Sequence, residues 1–265
     1  MRHATNRSRP FTGAHGELPA QYQTELLSHR DRSHLDRVAT LIAQGEIVAF
    51  GFNGIFAFLG DADQPVAAHR MAAAKGQSAH KPLALVCAPE CLYEFVDTAQ
   101  LAIAPKRYAR IVQLQRMLHG LGVILPAASH TLPGYAMQGA TVLNVWFELP
   151  PQSPARYLHQ RLRTMGVRTM LGTSANQHGE PTYSEVQHVQ DVFGGRIAAI
   201  VSHDLDPVNA AHRMSSTMVD FTGEQALLCR HGSVPLAELR AAMRQLGLGE
   251  LLVPAPRLAK PGVRY

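Results

Sequence analysis

The 265 residues are 46% hydrophobic and 17% charged, enough apolar mass for one full core and too little charge for a disordered chain. No run of 18 apolar residues supplies a membrane-spanning helix, and the early arginines precede no apolar stretch of the kind a secretory signal needs. A net charge of +5, with 21 of 25 basic residues arginine, favours polyanionic partners such as nucleotides or RNA.

Along the chain, residues 1–32 are rich in Arg, His, Gly and Pro and read as a loosely docked N-terminal extension. A helix follows, with Ser33 as its expected cap, Leu35, Val38, Ala39 and Ile42 on one face, and Gly45 at its end. "EIVAF" reads as a strand and "GFNGIFAFLGDA" as a glycine-bounded turn entering more β-prone sequence. "QPVAAHRMAAAKG" is a short helix and "KPLALVC" a buried strand beginning at proline. Helical stretches are expected around Pro89–Val96 and Pro105–Leu118, then strands in "GVILPA" and "TVLNVWFEL". "SPARYLHQRLRTMG" starts a helix on Ser153 and Pro154, a pairing suited to a cap and first position. "VRTMLGTSAN" gives a strand and loop, "YSEVQHVQDVFGG" a helix, and "IAAIVS", "TMVDF" and "ALLCR" three short strands. A final helix, Pro235–Leu246, precedes a proline-rich tail. Strands that follow one another without an intervening helix indicate an α/β (α+β) domain with a mixed sheet over residues 33–234, then a C-terminal helix and tail over 235–265.

Familiar catalytic signatures are missing: no Walker-type loop, no G-x-G-x-x-G, no H-E-x-x-H and no G-x-S-x-G. Three cysteines, Cys87, Cys91 and Cys229, lack metal spacing and suit a reducing cytoplasm, and the histidines are scattered, so no metal site is expected. Polar islands at strand ends remain. Lys75 and Lys81, two of only four lysines, bracket one loop; a compact ammonium on a flexible stem suits a phosphate oxygen. "GTSAN" offers two hydroxyls and an amide able to hold a base, a ribose or an oxyanion. "RMSSTMVD" repeats the theme with Ser215, Ser216 and Thr217, and Arg230 closes another strand ahead of Gly232.

In order, "GEIVAF…GDA…KGQSAHKPLALV…LGTSANQHGEPT…SSTMVDF…LLCRHGSV" resembles the YrdC-type threonylcarbamoyl-AMP synthase family, which includes the YciO and YwlC proteins, over about Leu35–Val234. The resemblance implies a twisted mixed sheet flanked by helices around a deep basic cavity. It also implies a nucleotidyltransferase reaction: ATP, bicarbonate and L-threonine give threonylcarbamoyl-AMP and pyrophosphate, for threonylcarbamoyladenosine in tRNA. Carried over by position, Lys75 and Lys81 are catalytic and face the ATP phosphates. Ser174, Asn176 and Arg230 contact the nucleotide, and Asn53, Thr173, Ser216 and Thr217 the substrate. Magnesium would ride on the phosphates. Implied partners are ATP or AMP, a small amino acid, bicarbonate, and tRNA or double-stranded RNA.

Departures fall on one side of that reaction. The family's P-T-D-T-x-Y-G-L becomes "GFNGIFAF", its K-x-R becomes Lys75-Gly76-Gln77, and its W-P-G-P-L-T survives only as "LHGLGVI". The V-R-x-P arginine, expected to hold the amino-acid carboxylate, is absent near Val145. Three readings stand at this point: a synthase acting on threonine or another small acid; a degenerate relative binding nucleotide or double-stranded RNA; and a structural subunit whose cavity is filled by Phe52, Phe56 and Phe58.

Overall fold

The computed structural model describes residues 23–52, 54–76, 83–89, 91–100, 104–128, 131–146, 153–177, 180–202 and 214–253. In chain order these form β1 (Glu25–Ser28), α1 (Arg32–Ala43), β2 (Val48–Phe52), β3 (Ile55–Asp61), α2 (Pro65–Ala74) and β4 (Ala84–Val86). There follow α3 (Ala104–Met117), β5 (Leu121–Pro126), β6 (Thr141–Trp146), α4 (Pro154–Thr164), β7 (Met170–Ser174) and α5 (Val186–Phe193). The chain closes with β8 (Ala199–Ser202), β9 (Thr217–Asp220), β10 (Ala226–Arg230), α6 (Leu236–Gln245) and β11 (Leu251–Leu252). All eleven strands join one mixed sheet in the order β1-β8-β2-β3-β7-β4-β6-β5-β9-β10-β11.

Local chemistry sets several boundaries. Asp31, not the expected Ser33, caps α1: its carboxylate accepts from Ser33 N at 2.8 Å, so the helix begins two residues earlier. Two residues separate the paired Phe52 and Ile55, and Gly54 at φ 74° supplies the left-handed backbone that so tight a hairpin needs. Pro89–Val96 yields only a 3-10 turn, Leu92–Phe95, and Pro235 sits outside α6 as its cap residue.

One row of partners fixes the two faces of the sheet. Leu171 pairs with Leu85, Leu85 with Asn144, Asn144 with Val123, Val123 with Val219, and Val219 with Leu228. All six are buried, in a core shared with apolar residues of α2, α3, α5 and α6. Asn144 is tolerated there because its amide bonds both backbone groups of Cys87 and the side chain of Gln115. Neighbours one position away point to the opposite face. There, α1 and α4 cover Val48, Phe50, Leu59, Val86 and Met170 as a second core. Across β6, β5 and β9 the same face carries Leu143, Val145, Ile124 and Met218, half-buried and in neither core among the described residues.

Two expectations change. The folded unit extends beyond residues 33–234: β1 pairs along β8, α6 packs into the first core through Leu239 and Met243, and β11 pairs with β10. Phe56 and Phe58 are fully buried in the first core, Phe58 edge-on to Phe193 at 4.8 Å. They are structural side chains on the far side of the sheet from Ser174; nothing is described of the Phe52 side chain.

Candidate functional site

The site starts where α2 ends. Lys75 caps the helix, its backbone amide still bonded to Met71 O, and its side chain is only 7% exposed. Burying an ammonium requires acceptors, and the end of β7 supplies them. Lys75 Nζ donates to the main-chain oxygen of Ser174 at 2.5 Å and lies 3.4 Å from both Thr173 Oγ1 and Asn176 Oδ1. Residues almost a hundred positions apart thus meet on one nitrogen.

Asn176 organises the loop beyond β7. Its Oδ1 accepts from Ser174 Oγ at 2.5 Å, while Nδ2 donates to the carbonyls of Gln177 at 3.1 Å and Glu180 at 2.6 Å. The Tyr183 hydroxyl donates to Glu180, its ring stacks on His188 at 4.0 Å, and its carbonyl accepts from Phe56 N. Burial and the Glu180 carboxylate together push the Tyr183 phenol up from its usual range. Thr182 then carries the chain to the second island, its hydroxyl 3.0 Å from Ser215 Oγ.

Alternation separates the expected contacts of that island. Thr217 is fully buried on the first core's face, where Oγ1 accepts from Gly232 N and Val234 N, both at 3.0 Å, and donates to Val234 O at 3.1 Å. Its side chain ties β9 to the turn after β10 and has no hydrogen-bonding capacity left for a substrate. Ser216, one residue earlier, is half-buried, and its carbonyl accepts from Arg230 Nε at 2.9 Å. A bulge in β10 places Arg230, rather than Cys229, opposite Met218. Through the register the guanidinium joins the row Val145–Gly122–Met218 on the face that Ser174 shares. Arg230 stays open to solvent, yet surrounding protein strips enough hydration to pull its pKa below the ordinary guanidinium value.

The structure therefore gathers Lys75, Thr173, Ser174 and Asn176 around one ammonium and links them through Thr182 to Ser215, Ser216 and Arg230. Lys81 and Asn53 lie outside the described residues. Sequence reasoning missed Thr182, Tyr183 and Gly232 as organisers. Thr182 was visible as the last residue of "GEPT", a small hydroxyl at the end of the longest island. Gly232 has a steric reason to be glycine: a Cβ there would lie 2.1 Å from Ser215 O and 2.6 Å from Thr217 N. The donors gathered here are cationic or neutral, a set that fits an anion such as a polyphosphate. Among the described residues no cluster of His, Cys, Asp and Glu could hold a metal ion by itself. No described helix is long and apolar enough to cross a membrane.

The chain resembles threonylcarbamoyl-AMP synthases. That of Pyrococcus abyssi is 26% identical over 211 residues, 78% of this chain, which spans 56% of that protein's length. That of Vibrio vulnificus is 27% identical over 171 residues, 64% of this chain and 86% of its own. The Bacillus subtilis protein is 24% identical, covering 91% of this chain and 66% of its own. Among solved structures, a variant of P. abyssi Sua5 superposes with a TM-score of 0.70 at 24% identity, over 87% of this chain and 65% of that one. The same Sua5 complexed with L-threonine gives 0.67 at 23%, over 86% of this chain and 62% of that one. YciO of E. coli gives 0.62 at 15%, over 82% of this chain and 98% of its own. Those superpositions establish the fold. The family model Sua5/YciO/YrdC, described as telomere recombination, matches residues 40–232, well over half of the sequence, and the chain belongs to that family.

Proposed function

We propose that the protein is an ATP-dependent carbamoyl-adenylating enzyme of the threonylcarbamoyl-AMP synthase type. The observation that carries this reading is the buried Lys75 ammonium, held at the end of β7 beside the Ser174 main-chain oxygen, the Thr173 hydroxyl and the Asn176 amide oxygen. A polyphosphate entering beside Ser174 would meet this ammonium at the strand end, and Lys81 from the same loop would add a second cation.

In the proposed reaction a carbamate oxygen attacks the α-phosphorus of ATP and pyrophosphate leaves. Lys75 neutralises charge building on the leaving group, and Arg230 steadies the nucleotide from the opposite edge of the face. Magnesium, carried by the phosphates themselves, would supply further neutralisation there. Ser174 Oγ, bonded to Asn176, is oriented by that amide and able to accept from the nucleotide, while Ser216 borders the acyl end and Thr173, its hydroxyl 3.4 Å from Lys75 Nζ, helps seat that ammonium. Asn176 holds the loop in shape. Thr217 acts as a clasp behind Ser216. Asn53 is proposed for the substrate side of the same face.

The test is adenylate formation, followed by mass and by pyrophosphate release, from ATP, magnesium and bicarbonate with and without L-threonine. Lys75→Gln, which keeps length and loses charge, should lower kcat/KM by about 100-fold or more, the effect of removing one well-placed electrostatic contact. Calorimetric ATP binding that Lys75→Gln leaves unchanged would overturn the phosphate assignment. The replacement of the family's second cation by Gln77 favours a binding protein instead. ATP or double-stranded RNA binding without any adenylate would establish that second reading.

A further inference from the structure

The sheet face beside Arg230 has an unusual composition for a site that handles charged reactants. Val145 pairs with Gly122, Gly122 with Met218, and Met218 with Arg230; in the next row Leu143 pairs with Ile124, and Ile124 with Asp220. Leu143, Val145, Ile124 and Met218 are half-buried apolar side chains that neither core claims among the described residues. Gly122 lies beneath them: a Cβ there would stand 3.2 Å from Leu143 Cδ1 and 3.3 Å from Met218 Cγ. Without one, the two side chains lean together over the glycine and form a continuous apolar floor. From Val145 to Met218 that floor spans two strand spacings, about 10 Å. Arg230 is its one described cation, at the outer edge and engaged with Ser216 O. Asp220 stands at the other end of the neighbouring row, with Oδ1 accepting from Thr222 N at 2.8 Å and Thr222 Oγ1 at 2.6 Å.

Resting on the adenylating reading above, we propose that the acceptor is an amine with an apolar chain and no carboxylate, seated on Leu143, Val145, Ile124 and Met218. A chain of four to six carbons matches the floor's length, and branched or linear hydrocarbon would cover the half-buried side chains. Among the described residues, a carboxylate laid on the same floor meets no cation between Val145 and Met218 and would lose its hydration unpaired. The chemistry balances with the reactants already named. The amine and bicarbonate give a carbamate and water. A carbamate oxygen then bonds to the α-phosphorus as the bond to the bridging oxygen breaks, and pyrophosphate leaves with that electron pair. Leu143, Val145, Ile124 and Met218 are specificity-determining residues in this scheme, touching the part of the substrate that does not react.

The experiment compares 3-methylbutylamine with L-threonine as acceptors, each with ATP, magnesium and bicarbonate. The adenylate is read by mass, and ATP binding is measured separately by calorimetry. The expected result is a kcat/KM for 3-methylbutylamine at least about 10-fold above that for threonine, the scale at which an apolar pocket discriminates. Met218→Ser and Ile124→Ser should each raise KM for the amine while leaving ATP affinity within about two-fold. Val145→Arg should lower turnover of the amine and raise that of threonine. ATP binding together with an adenylate from threonine alone overturns the apolar acceptor and leaves the nucleotide reading standing. Binding of ATP with no adenylate from either also overturns it, and absence of ATP binding overturns both.

Discussion

The Thr217 hydroxyl makes three hydrogen bonds inside the fold, so its replacement is a stability experiment before it is a catalytic one. Thr217→Val keeps the shape and leaves the amides of Gly232 and Val234 buried without an acceptor, at a cost of about 2–4 kcal/mol from two unsatisfied donors. Urea unfolding would show this as a fall in midpoint with an unchanged slope; a loss under about 0.5 kcal/mol would mean that the turn finds other partners. The sequence made this residue visible as the end of "SST" but not its direction. Strand phase decides which of two adjacent hydroxyls faces the core, and phase is set by the neighbouring β5, whose Leu121 pairs with Thr217 from far earlier in the chain. Lys75 was easier to single out, because lysines are rare in this chain and two flank one loop. What the sequence could not reveal is that the ammonium is buried against the end of β7, since that contact joins segments far apart in the chain.

At the scale of elements, the helices were legible and the covering of the sheet was not. α4 shows both sides of this: Ser153 and Pro154 announce its start, and Ser153 Oγ does accept from Arg156 N at 3.3 Å. Nothing in its own period says that Leu158 and Leu162 pack with α1 on the second face. β6 shows a plain alternation, with Val142, Asn144 and Trp146 buried and Thr141, Leu143 and Val145 half-buried, but an Asn in the buried phase blurs it to a reader of sequence. The turn after β10 provides the element-level prediction. Gly232→Ala drives a Cβ into the backbone of Ser215 and Thr217, which can relieve the contact only by separating the turn from the start of β9. The expected loss is about 1–3 kcal/mol in urea unfolding, as for other forced overpacking, together with weaker ATP binding as Arg230 loses Ser216. Gly134→Ala is the control: no atom lies within 4 Å of its Cβ, and it should stay within about 0.5 kcal/mol. Equal behaviour of the two variants would sink the steric account.

For the whole molecule, the instructive difference is at the N-terminal side, where composition pointed to a loose extension through residue 32. The four residues of β1 are too short and too mixed to stand out as a strand, and they become one only because β8 offers an open edge. Parallel pairing runs from Glu25 with Ala199 to Ser28 with Ser202. Thr24 Oγ1 donates to Ile197 O at 2.7 Å and accepts from Gly195 N at 2.9 Å, Leu27 is buried, and Glu25 takes a bidentate bond from Arg37 on α1. The exposed ion pair adds little, but the strand covers backbone groups of β8 and the flank of α1. A chain beginning at Arg30 should lose about 2–4 kcal/mol in urea unfolding, mainly from Leu27 and the freed backbone groups of β8. With that edge bare it should also self-associate at concentrations where the full chain does not, as a row of unpaired amides and carbonyls recruits another strand. Size-exclusion chromatography alongside the urea titration reads both effects. An unchanged midpoint and elution volume would return residues 23–29 to the status of an appendage, whereas a loss of both places the sheet's true edge at β1.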